Sequence, residues 1–169
     1  MSGDRRPPVL RLDIETPEGM EALGASLAGQ LREGDLVMLN GELGAGKTTL
    51  ARGLGAALGV RGAVTSPTFV LARTHPRVEG APLVHVDAYR LSSAVELDDL
   101  DIDFERSIVV VEWGAGLLDG LTDWLQVDIV RAMGGAQPVE LDEPEQREVT
   151  LTGHGHRWND LGWVGAPRD

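Results

Sequence analysis

The chain has 169 residues, 42% of them apolar, with a formal net charge of −12. That length supports one buried core and is short for two ordinary domains. The acidic balance argues against a domain that grips nucleic acid through clustered Lys and Arg on phosphates, and the absence of Cys excludes disulfides and thiolate metal sites.

The elements follow in chain order. No apolar segment follows Arg5 and Arg6, so no secretory signal is expected, and the apolar runs stay far below the roughly 20 residues of a membrane span. Residues 9–14 (VLRLDI) alternate apolar and polar, the pattern of a strand with one buried face. Thr16 is a helix cap with Pro17 at the first helical position, and Met20, Leu23, Leu27 and Leu31 recur at helical spacing up to Gly34. Residues 35–40 (DLVMLN) read as a strand buried on both faces. A second helix is expected from Lys47 to Leu58, stopped by Gly59, with Gly53 and Gly55 each costing about 1 kcal/mol against Ala inside it.

Further along, residues 64–71 (VTSPTFVL) read as a loop entering a strand, and residues 73–82 as a connection containing Pro and Gly. Residues 83–86 form a short strand ending at Asp87, and residues 92–100 carry a capped helical segment. Residues 108–111 form the most apolar strand and end at Glu112. Residues 125–130 and 148–151 alternate as half-buried antiparallel strands do, with a polar hairpin loop between them. The expected fold is α/β and P-loop NTPase-like: a single domain over residues 1–158, with a short central parallel sheet flanked by antiparallel strands, helices on both faces, and a loosely ordered tail over 159–169.

The densest chemical signal is Gly41-Glu-Leu43-Gly44-Ala45-Gly46-Lys47-Thr48, which fits G-x-x-x-x-G-K-[ST] between a predicted strand and a predicted helix. Glycines let successive backbone N–H groups converge on phosphate oxygens, and the following helix adds the positive end of its dipole. Lys47 is the single lysine among 15 basic residues. A compact ammonium on a flexible stem reaches β- and γ-phosphates where a planar guanidinium is too wide. Thr48 supplies a hydroxyl for Mg²⁺, and Thr49 continues the first helical turn.

Asp87 and Glu112 both end predicted strands on the edge where such sheets bind ligands, so one carboxylate would hold metal and the other orient water, with the assignment open. His85 shares a strand face with Asp87 and either lines the site or is a histidine satisfied by a hydrogen bond. His154 and His156 read as a surface turn and the four Trp residues as packing. Guanine-specific switch proteins usually read the base with Asn-Lys-x-Asp, and this chain has no second lysine to supply it, so adenine nucleotide is the expected ligand. A small-metabolite P-loop kinase is the alternative. It needs an arginine-bearing lid, for which Arg73, Arg77 and Arg90 are the contributors.

GELGAGKTTLARGL, VTSPTFVL, HVDAYRL with an acidic helix, and VVEWG, in this order, resemble the TsaE (YjeE) family of bacterial ATPases acting in tRNA threonylcarbamoyladenosine biosynthesis. The resemblance covers roughly residues 16–158. It implies ATP hydrolysis with Mg²⁺ in the cytoplasm, coupled to TsaB and TsaD homologues that attach threonylcarbamoyl to the adenosine next to the anticodon in tRNAs reading ANN codons. It also implies that tRNA is met only through those partners and that no membrane is involved. Lys47 and Thr48 match the family's phosphate and metal residues, Asp87 the essential Asp of its H-x-D-x-Y-R motif, and Glu112 the acid implicated in Mg²⁺ binding and catalysis. Ser66, Pro67 and Thr68 match a nucleotide-sensing loop, and Thr16 and Pro17 the N-terminal contribution to an adenine pocket. Gly114 stands where the family usually has Pro, and His75 near where an aromatic is common.

Overall fold

In a computed structural model, residues 8–41, 46–60, 72–77, 80–87, 102–112, 123–131 and 147–162 are described. The expected loop entering a strand over 64–71 and the expected helix over 92–100 lie outside them, as do the polar loop after residue 131 and the chain beyond residue 162. Seven strands form one sheet: β1 (Val9–Ile14), β2 (Leu36–Gly41), β3 (Ala72–His75), β4 (Leu83–Asp87), β5 (Ile108–Glu112), β6 (Trp124–Arg131) and β7 (Arg147–His154). Their spatial order is β1-β7-β6-β2-β5-β4-β3. β6, β2, β5 and β4 are mutually parallel, while β7 on one side and β3 on the other run opposite to them, and β1 pairs antiparallel with β7 at the edge.

Two expectations about strands need correction. β6 is not an antiparallel addition, because it pairs parallel with β2 and antiparallel with β7. Its alternating pattern records one face packed on the core and one half-exposed, which is compatible with either direction of pairing. β3 occupies residues assigned to a connection. Its sequence, ARTH, lacks apolar alternation, and the ladder to β4 makes it a strand. Exposed Arg73 and Thr74 suit its place at the edge of the sheet.

Helix α1 spans Pro17–Ala28 and α2 spans Lys47–Leu58. Thr16 caps α1, its Oγ1 accepting from the Gly19 N–H at 3.0 Å, with Pro17 in the first turn as expected. The helix stops six residues before Gly34. The Asp35 carboxylate accepts the Arg32 N–H at 2.8 Å and closes a turn there, although Leu31 stays buried. α2 ends as expected at Gly59, whose left-handed conformation directs its own N–H to Ala56 O and that of Val60 to Gly55 O, a Schellman arrangement.

Both described helices cover the same face of the sheet. Met20, Leu23, Leu27, Leu50 and Leu54 pack there on Val37, Leu39, Val110, Leu125, Val127 and Leu151. On the other face, Ile102 and Phe104 pack against Leu36, Met38, Val84, Val86, Val109, Val111 and Trp124. Trp158 is buried within the helix-side core and Leu161 joins it. Arg157 forks onto the Asp35 carboxylate through Nε and Nη2, both at 3.0 Å, and also reaches Gln30 O, which ties the segment after β7 to the start of β2.

The helices meet through glycine. A Cβ on Gly24 would lie 2.2 Å from Leu50 O, and one on Gly53 would lie 2.3 Å from Glu21 O. Helix propensity alone favours Ala over Gly at an interior position by about 1 kcal/mol. The crowding reverses that sign, so Gly53→Ala is expected to destabilise the protein by about 2 kcal/mol and lower the Tm by several degrees. A Tm equal to or above wild type in a thermal melt would show that the helices can separate without penalty.

Candidate functional site

The carboxyl ends of the parallel strands gather the residues singled out from sequence. β2 lies between β5 and β6 and ends at Gly41, and α2 begins at Lys47, so the glycine motif joins a central strand to a helix. Gly46 is the N-cap of α2 at φ +120° and ψ 9°, a region that L side chains rarely adopt. A Cβ there would also press on Met20 Cε at 3.2 Å. Met20 belongs to the first turn of α1, so Thr16 and Pro17 are held close in sequence to a residue packed against the motif, with the Thr16 hydroxyl engaged as the α1 cap.

Among the described residues no side chain caps the N-terminus of α2, and its first turn carries no acid. The opening N–H groups of a helix have no partner in their own helix, and the dipole places positive potential there. Lys47, 6% exposed, donates from Nζ to Gly41 O at 2.5 Å and so links the two ends of the loop. Thr48 and Thr49 are half-buried in the same turn. Leu43, Gly44 and Ala45 lie outside the described residues, as do Ser66, Pro67 and Thr68.

In register, β5 places Glu112 beside Leu39 of β2 and beside Asp87 of β4. The backbone therefore brings both predicted acids to one edge. The side chain of Asp87 is outside the description, whereas Glu112 is 4% exposed and its Oε2 lies 2.5 Å from His85 Nε2. His85 is 1% exposed, and its Nδ1 has no hydrogen-bond partner among the described residues. Both readings of His85 thus meet in one contact: it is buried and hydrogen-bonded, and its partner is a predicted site acid. Strand parity toward Asp87 was legible beforehand, but the link to Glu112 needed the β4–β5 register.

Sequence reasoning missed a second set of contacts. Asn40, immediately before the motif, donates to Asp128 Oδ1 at 2.9 Å. Gln126 Nε2 donates to Asp128 Oδ2 at 2.7 Å, and His154 Nε2 lies 3.1 Å from Gln126 Oε1. The alternation of β6 places Gln126 and Asp128 on one face, which was the available signal. His154 ends β7 and stacks on Trp124 with ring centroids 3.8 Å apart, so it is part of the sheet and not of a turn. Among the described residues no group of three His, Asp or Glu is arranged to hold a metal. Arg77 donates to Leu58 O at 2.9 Å at the far end of α2, which commits it away from the motif. Arg90 lies outside the description.

The family model for "Threonylcarbamoyl adenosine biosynthesis protein TsaE" matches residues 14–137. The chain belongs to the TsaE family. A Streptomyces coelicolor protein named tRNA threonylcarbamoyladenosine biosynthesis protein TsaE is 59% identical over 144 residues, covering 82% of this chain and 93% of the relative. A Bacillus subtilis protein of the same name is 33% identical over 150 residues, covering 86% of each. The crystal structure of Bacillus subtilis YdiB superposes with a TM-score of 0.70 at 28% identity, covering 92% of both chains. The fold expected for a TsaE chain, mixed parallel and antiparallel in one sheet, is the fold observed.

His75 stands on β3 near where this family commonly has an aromatic, and it is buried with Nε2 unpartnered among the described residues. Burial holds its pKa below 6.5, with positive charge on His85 and Arg73 acting in the same direction. The folded state therefore favours the neutral ring, and the unfolded chain binds the proton more readily. This contribution to stability is fully present above about pH 6.5 and is lost as pH falls below it. His154 is shifted the same way by burial, opposed by Asp128. Urea midpoints are expected to drop between about pH 7.5 and 5.5, less steeply in His75→Gln. An identical slope in that variant would remove His75 as a source.

Proposed function

We propose that this TsaE chain binds ATP and hydrolyses it with Mg²⁺, in support of the formation of N6-threonylcarbamoyladenosine next to the anticodon in tRNAs reading ANN codons. The observation that carries the reading is the α2 N-terminus, left without a side-chain cap among the described residues, with the chain's single lysine reaching back to Gly41 O and a buried carboxylate ending the adjacent strand. The family model and the names of its relatives support the tRNA-modification role.

In this reading the α2 amides and Lys47 Nζ take the β- and γ-phosphates, Nζ exchanging Gly41 O for a phosphate oxygen. After hydrolysis ADP would keep the contacts to its β-phosphate, while those to the γ-phosphate are lost with the released phosphate. The donor set next to the loop, the Thr48 hydroxyl and the Glu112 carboxylate, consists of hard oxygens and suits Mg²⁺. When bound, the ion would neutralise charge developing on the phosphates. Asp87 and Glu112 divide metal holding and water orientation between them. Thr16 and Pro17 would border the adenine from the start of α1. Homologues of TsaB and TsaD are the proposed partners, in the cytoplasm, and they would hold the tRNA, since an acidic chain repels its phosphates. No described helix is long and apolar enough to cross a membrane.

Titration with a fluorescent ADP analogue tests the phosphate site directly. Lys47→Ala is expected to weaken binding by roughly 10–100-fold through loss of charge-assisted bonds. Lys47→Arg is expected to weaken it as well, because the planar fork does not fit a slot shaped around an ammonium. Wild-type affinity in Lys47→Ala, or ATP turnover in the presence of the two partners that this variant leaves undiminished, would overturn the assignment.

A further inference from the structure

The structure assigns His85 a positioning role: its Nε2–H holds Oε2 of Glu112, so that the other carboxylate oxygen, Oε1, is the one presented to Mg²⁺ or to its bound water. This rests on the reading of Glu112 as the acid of a Mg²⁺-dependent nucleotide site.

Three observations converge on the pair. His85 and Glu112 are 1% and 4% exposed, so the bond between them is shielded from competing water. They lie on adjacent parallel strands, β4 and β5, and on the same face as α1 and α2, the side from which the glycine motif and Lys47 approach. The two side chains are within hydrogen-bond distance, at 2.5 Å, and with Glu112 ionised the bond requires the proton on Nε2. The carboxylate is therefore engaged through one oxygen by a side chain anchored in the sheet.

The geometry suits positioning better than storage of charge. A buried carboxylate at a strand end has two free torsions beyond χ1, and a ligand bound through one oxygen needs those torsions fixed. An imidazole fixed within a β-strand does this through Nε2 alone, its buried Nδ1 having no hydrogen-bond partner among the described residues. Groups that orient a metal ligand in this way are worth roughly 10–100-fold in metal affinity or activity when removed. A purely structural role would instead appear as lost stability with the metal response intact.

The test compares wild type, His85→Leu, His85→Gln and Glu112→Gln by titrating Mg²⁺ against binding of a fluorescent ATP analogue, alongside a thermal melt of each protein. Glu112→Gln is expected to lose most of the Mg²⁺ response, and His85→Leu to raise the Mg²⁺ concentration for half-maximal effect by roughly 10–100-fold. His85→Gln, whose amide nitrogen reaches the place of Nε2, is expected to recover most of it. Nucleotide affinity without Mg²⁺ should stay at the wild-type level in both His85 variants. A wild-type Mg²⁺ response in His85→Leu, beside a lost response in Glu112→Gln, overturns the positioning role and leaves the nucleotide site standing. An unchanged response in Glu112→Gln overturns the reading of Glu112, and the positioning role with it. Should His85→Leu not fold, proton NMR of the wild-type protein labelled with ¹⁵N-histidine decides. A slowly exchanging, strongly downfield Nε2–H on His85 that disappears in Glu112→Gln supports the bond, and its absence in wild type refutes it.

Discussion

The contact that most of this architecture depends on is the close crossing of α1 and α2. Gly24 and Gly53 bring the two helix backbones to a separation that no side chain would permit. Because α2 is fixed at its start by the glycine motif and at its end by the Gly59 turn, α1 has one place to lie. That place presses Met20 against Gly46 and sets the start of α1 beside the candidate site. The same crossing lets both helices share one apolar face of the sheet, where Leu27, Leu50 and Leu54 are fully buried.

The sheet then separates two kinds of work. Its parallel strands β6, β2, β5 and β4 end together, and these ends carry Gly41, Asp87 and Glu112. At the opposite end, Arg157 grips Asp35 at the entrance to β2 and packs over Trp158. A charged pair at that end stabilises the scaffold without disturbing the potential around Lys47. On the face away from the helices, Asn40, Asp128, Gln126 and His154 form a chain of hydrogen bonds across the sheet that starts at the residue preceding the motif. Each amide and carboxylate in that chain satisfies another, so polar groups on a half-buried face carry little penalty.

Much of the scaffold was legible beforehand because its signals are local. The Thr16-Pro17 start of α1 and the Gly59 stop of α2 are set by capping chemistry within a few residues, and both stand where expected. The strand over 108–112 announced itself by continuous apolarity. The rest depended on contacts across the chain. β3 is a strand only because β4 offers it a ladder, and α1 stops early only because Asp35 folds back on Arg32. The direction of β6 followed from which neighbour it reached, about which alternation says nothing.

The sequence by itself determined the glycine motif, the family and most of the described elements, since propensity, capping and motif spacing are carried by residues close together in the chain. Gly53 shows what it left undecided: read along the helix it is a weak residue, and read in the fold it is the space that α1 occupies. His85 shows the same for chemistry. Its place on a strand face was plain, but only the β4–β5 register put its ring against Glu112, because a hydrogen bond between residues 27 apart is fixed by how strands pair and not by how either one is spelled.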